Sequence, residues 1–253
     1  MERSSMKTDI QLNSEAIRFR EKVGYSNREP IDIESIALKM QNYTIVKMEL
    51  SSHISGICIV DDESKVIGIN SAMSIGRQRF TIAHEIYHLE IEQLVEGKIC
   101  PTGIYDNRSD SEKEADMFAS FLLMPYDGLA WYEDTYQISE WTIKNIIDLS
   151  QFYKLSYMAV LFRLNYENRI TDIAYEKLKK VNVKREALKY GYDVSLYEPS
   201  QQEDKWLTLG EYPRLLEEKR DAIPESLFRQ FCKEGFRDEL EYTIIEEGEV
   251  MND

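Results

Sequence analysis

The run His84-Glu-Ile-Tyr-His88 is an H-E-x-x-H pattern. It lies within residues 79–93, which contain no Pro or Gly, and the spacing there predicts a helix. Side chains four apart on a helix lie one turn above each other, so His84 and His88 can aim two imidazoles at one point. A tetrahedral Zn²⁺ ion needs that separation. Glu85 is placed to act on water beside such an ion rather than to bind it. The chain has three His, which makes this spacing a poor match for the bland alternative, two ordinary histidines on a helix surface.

A catalytic zinc site takes a third protein ligand and leaves a fourth position to water. His53 lies upstream, in a predicted strand or the turn before it, and nothing in its spacing points to the metal. The stronger source is residues 111–125. Ala115, Phe118, Ala119, Leu122 and Leu123 follow the 3.6-residue period, and Pro125 stops the helix. Asp110 or Ser111 is the expected N-cap. Glu112 and Asp116 share one face at i, i+4. One of them can ligate while the other accepts the free ring N–H of a liganding His and fixes its tautomer. Without the histidine motif, acids in a first helical turn would be read as a solvated, dipole-favoured helix start.

Together, Arg77-Gln-Arg-Phe-Thr-Ile-Ala-His-Glu-Ile-Tyr-His-Leu89 and Glu112-Lys-Glu-Ala-Asp-Met-Phe-Ala-Ser-Phe-Leu-Leu-Met-Pro125 resemble the ImmA/IrrE family of metallopeptidases. Its pattern runs R-F-T-x-A-H-E-x-x-H, then E-x-x-A-[ND]-x-F-A with L-L-M-P. Pro30–Ala37 resembles the family's early helix, and Ile67–Asn70 the strand before its active helix. The likeness covers about residues 10 to 180; Tyr87 departs from it, standing where the family usually carries Gly. The resemblance implies a zincin-like domain with His84, His88 and Glu112 as Zn²⁺ ligands, Glu85 as general base and Asp116 as the acid orienting a histidine. Glu114 is the alternative third ligand, because two glutamates flank Lys113. It also implies a protein substrate, a helix-turn-helix repressor of a mobile element or stress regulon, whose cleavage relieves repression. The competing function is a non-catalytic interaction protein that sequesters a partner, or one half of a toxin–antitoxin pair. A pure binder has no need of a metal-activating glutamate. A donor for the reaction's oxyanion is also needed, and a Tyr or Arg is expected, but the 16 Tyr leave it unidentified.

The elements that must position these residues follow an α+β order. Helices are expected over 13–24 and 32–41, then short strands over 43–46, 55–60 and 65–70, the last two joined by the polar turn Asp61–Ser64. The active helix is expected over about 77–94. A loop with Gly97, Pro101 and Gly103 follows, then the second helix near 111–124 and helices near 139–149, 154–165 and 169–181. Residues 10–182 are read as the metallopeptidase domain and 183–253 as a mostly helical C-terminal extension, with helices at 207–219 and 224–235.

Composition suits a globular enzyme: 43% hydrophobic and 30% charged over 253 residues. No apolar run approaches the roughly 20 residues of a membrane helix, and Met1–Thr8 lacks the apolar core of a signal peptide. Cys58, Cys100 and Cys232 form no C-x-x-C pair and are read as reduced cytoplasmic thiols. The net charge of −15 argues against direct binding of nucleic acid. Residues 237–253 hold seven acids and one base, read as a solvated terminus or, alternatively, as a lure for a basic partner.

Overall fold

The computed structural model describes residues 6–61, 63–94, 98–101, 109–199 and 206–235. The acidic run at 237–253, and with it any lure for a partner, lies outside the described residues. The elements in chain order are α1 (Asp9–Lys22), α2 (Ile33–Lys39), β1 (Tyr43–Met48), β2 (Ile54–Val60), β3 (Lys65–Asn70), α3 (Ile75–Ile86), β4 (Lys98–Pro101) and α4 (Asp110–Leu123). Then come α5 (Tyr126–Thr135), α6 (Ile143–Tyr153), α7 (Tyr157–Tyr166), α8 (Asp172–Leu178), α9 (Val183–Lys189), β5 (Trp206–Gly210), α10 (Glu211–Glu218) and α11 (Glu225–Glu234). This is the expected α+β class. Among the described residues no helix is long and apolar enough to cross a membrane.

The sheet has the order β4-β2-β3-β1-β5, with β1 and β3 parallel and every other pair antiparallel. The β2–β3 hairpin closes through Asp61, whose carboxylate accepts from the backbone N–H groups of Glu63 and Ser64, the local bonding that suits Asp to turns. Two strands depart from expectation. The segment expected to be loop near Pro101 pairs with β2 as β4, and the start of the helix expected over 207–219 pairs with β1 as β5, placing Leu209 opposite Ile45. The region beyond residue 182 thus adds a strand to the sheet, while Leu216, Phe228 and Cys232 of α10 and α11 form a separate small apolar cluster.

Helix starts follow side-chain capping. Thr8 and Gln11 form a capping box at α1, as Thr142 and Asn145 do at α6. At α4 the cap is Ser109, one residue before the expected Asp110 or Ser111; its side chain accepts from the Glu112 N–H. Helix α3 packs against α4 on one side and the β2–β3 hairpin on the other, so Ile82, Ala83 and Ile86 are fully buried. Beyond Ile86 the helix widens into one π turn over Tyr87–Ile91, a distortion common at functional sites.

Helix α4 is tied to α1 by a buried cation. Arg20, fully buried, donates to the carbonyls of Leu122 (2.6 Å), Ser26 (2.9 Å) and Glu29. Burial lowers its pKa to about 10, which leaves it charged at neutral pH. Replacing Arg20 with Met keeps the apolar stem but strands several buried carbonyls. Arg20→Met is expected to lower unfolding free energy by about 3–5 kcal/mol, measured by urea denaturation; a loss within experimental error would show that this tie is dispensable.

Candidate metal centre

His84 and His88 project from the last turn of α3 and its π extension onto the start of α4. Both are buried, as are Glu85 and Glu112. The two Nε2 atoms lie 3.2 Å apart. Glu112 offers one carboxylate oxygen to each, Oε2 at 3.4 Å from His84 Nε2 and Oε1 at 3.4 Å from His88 Nε2. An ion held tetrahedrally at about 2.0–2.1 Å spaces its donors about 3.3 Å apart. The three separations are close to such edges, with the two from Glu112 running to different oxygens, so His84, His88 and Glu112 could hold one divalent ion.

The far side of each imidazole is also fixed. His84 Nδ1 lies 3.0 Å from Asp116 Oδ1, and His88 Nδ1 lies 2.5 Å from Glu92 Oε2. A carboxylate only accepts, so these partners favour the tautomer with the proton on Nδ1, most plainly at His84, and that tautomer turns each Nε2 lone pair toward the other. At His88 the Glu92 oxygen lies closer than the Lys98 ammonium, at 3.3 Å. Two lone pairs facing each other beside a carboxylate call for a cation between them. Without an ion a proton answers the same demand for positive charge: burial works to lower the His84 pKa, but the bonds to Asp116 and Glu112 and the charge of Glu85 outweigh it and raise it to about 10. A metal binding there therefore displaces a proton from Nε2. Glu112 is driven far below the usual carboxylate range, since its bonds to both histidines overcome the opposing effect of burial. The His88 bond, against burial and with help from Ser111, holds Glu92 at about 2.

The structure brings Glu112, and not Glu114, to the histidines. Glu114 sits on another face of α4, accepting from the backbone N–H of Lys7 at 2.7 Å and from the Tyr87 hydroxyl. Tyr87 is buried between Phe118 and the His88 ring. The residue that departs from the family pattern therefore occupies the alternative glutamate. His53 is exposed in the turn before β2 and is not among the residues whose ligand atoms converge.

Glu85 is fully buried, and among the described residues its Oε1 has no hydrogen-bond partner. It fits only because position 56 is Gly: a Cβ there would lie 2.6 Å from Glu85 Oε1 and 2.5 Å from Thr81 Cγ2. Three residues of the cluster escaped the sequence reading. Glu92 is visible in hindsight as the acid one turn beyond His88. Lys98, from β4, lies 2.9 Å from Glu112 Oε1 and donates to Ser111 Oγ at 2.8 Å. Cys100 donates its S–H to Glu85 Oε2 at 3.2 Å. Nothing local in the sequence marks the last two, because pairing with β2 is what delivers them.

The family model for peptidase M78, the IrrE N-terminal-like domain, matches residues 29–165, more than half of the chain. Comparison with curated proteins finds no match. Among solved structures, the chain is similar to a Mycobacterium tuberculosis transcriptional regulator at 18% identity and a TM-score of 0.42, the likeness covering 61% of this chain and 46% of that one. The chain thus spans less than half the length of that protein.

The donor geometry predicts uptake of about one divalent ion per chain, read by elemental analysis of purified protein. His84→Ala, His88→Ala and Glu112→Gln should each lose it, whereas Glu114→Gln should keep it. Glu92→Gln and Asp116→Asn should weaken affinity by about 10–100-fold. Full occupancy in Glu112→Gln with loss in Glu114→Gln would reverse the assignment of the third donor.

Proposed function

Because the chain belongs to the M78 peptidase family of IrrE N-terminal-like domains, we propose that it is a zinc-dependent endopeptidase. Its proposed substrate is a helix-turn-helix repressor of a mobile element or stress regulon, whose cleavage relieves repression. The observation carrying the enzymatic reading is the convergence of two Nε2 atoms and the Glu112 carboxylate beside a buried glutamate with one unpaired oxygen. A binding protein gains nothing from holding four acids around two buried histidines. The repressor follows from the family resemblance, and the net charge of −15 suits a basic protein partner better than nucleic acid itself.

In this reading His84, His88 and Glu112 hold the metal, with Asp116 and Glu92 fixing the tautomers that turn both Nε2 atoms inward. A zinc ion bound there would supply Lewis acidity, polarising a peptide carbonyl and lowering the pKa of water towards about 7. Glu85 Oε1 accepts the proton of the attacking water, and the same carboxylate returns it to the departing amine. The bare backbone at Gly56 leaves room for that carboxylate, and the Cys100 thiol donates to its other oxygen. The buried walls exclude bulk water, which strengthens each of these interactions.

The Glu85→Gln variant separates catalysis from binding. It preserves size and hydrogen bonding yet cannot accept a proton. It is expected to keep wild-type metal content and bind repressor, while cleavage falls by about 10²–10⁴-fold. Undiminished cleavage, scored on a gel with a purified helix-turn-helix repressor that the wild-type chain cuts, would remove Glu85 as the base. Undiminished derepression in cells without cleavage would favour the sequestering alternative.

A further inference from the structure

The fourth group at the centre is Cys100. Strand β4 pairs antiparallel with β2 so that Cys100 stands opposite Gly56, the residue against which Glu85 lies. Its Sγ and one ligand atom from each of His84, His88 and Glu112 all fall within 4.8 Å of one another, and all four residues are buried. A metal thiolate at about 2.3 Å lies about 3.5 Å from its neighbouring donors, so bonding needs an inward shift on the order of 1 Å. Beside it, Glu85 Oε1 is buried and unpartnered among the described residues, a polar atom left over where a ligand belongs. A water-activating centre keeps one position open, whereas four protein donors make a closed, structural one.

We propose that Cys100 supplies a fourth protein donor to this centre, closing it into a resting His₂-Glu-Cys set in which the position needed by water is filled. The inference rests on the metallopeptidase reading and adds its regulation. As the sulfur–metal bond forms, the S–H proton passes to Glu85 Oε2, which already accepts it at 3.2 Å. The carboxylate that would take a proton from water is then occupied, so one thiol disables both halves of the machinery. Release is the reverse: Sγ leaves the metal and regains its proton from Glu85, and the fourth position opens. Cys58, on the neighbouring strand, is a hydrogen-bond partner toward which the released thiol turns. No oxidant or reductant takes part.

Cobalt(II) tests this directly, because a thiolate bound to it gives an intense near-ultraviolet charge-transfer absorption that nitrogen and oxygen donors do not. The full chain, stripped of metal and loaded with one equivalent of Co²⁺, is expected to show that band. Cys100→Ser should lose the whole band and bind Co²⁺ at least about tenfold more weakly, while Cys58→Ser should keep it. Stoichiometric cobalt without the band in the wild-type chain would overturn the inference and leave the proposed protease standing; that measurement needs no variant to fold. Persistence of the band in Cys100→Ser, or its loss in Cys58→Ser, would equally overturn it. Failure of the wild-type chain to take up cobalt at all would remove the metal centre, and both readings with it.

Discussion

Four carboxyl groups, those of Glu85, Glu92, Glu112 and Asp116, are held against two buried histidines. Charges concentrated away from water repel one another and lose hydration, and the arrangement survives only if positive charge is supplied among them. Lys98 supplies part of it from β4, and the raised His84 pKa shows the appetite for more. The rest of the architecture enforces this unfavourable grouping. Arg20 anchors the end of α4, Ser109 caps its start, and the sheet backs α3 so closely that position 56 accommodates no side chain. Rigidity here is spent on holding donors where a divalent ion finds them already in place.

What could be read from the sequence was whatever depends on local spacing. His84 and His88 are one turn apart on any helix, and Glu112 with Asp116 repeats that spacing, so two helices and their inward faces follow from periodicity. The three central strands were equally legible, since short β-branched runs bounded by polar turn residues, Asp61-Asp-Glu-Ser64 among them, admit few other readings. The choice between Glu112 and Glu114 was not, because the two lie two residues apart and only the packing of α1 and Tyr87 against α4 tells which one is otherwise engaged.

The strands at the two edges escaped for a different reason. Residues 206–210 read Trp-Leu-Thr-Leu-Gly, a short apolar run that periodicity cannot assign to helix or strand, and only the vacant side of β1 decides it. Residues 98–101 end in Pro and follow Gly97, signals of a turn, yet Pro is tolerated where a strand lies at a sheet edge. With β4 unforeseen, Lys98 and Cys100 had no path to the histidines, and three scattered cysteines looked inert. Tertiary pairing, rather than residue chemistry, was the missing information.

The late arrival of β5 also bears on how the chain is made. Strand β1 ends at Met48, whereas its antiparallel partner begins at Trp206. At roughly 5–20 residues per second on the ribosome, β1 waits on the order of ten seconds or more with a row of backbone N–H and C=O groups unsatisfied. The metal-binding pair of helices is complete long before that. During the interval the nascent polypeptide presents an open strand edge, a surface that recruits chaperones or pairs with another nascent copy. Translation speed through the second half of the message therefore becomes a determinant of yield, independent of the stability of the finished protein.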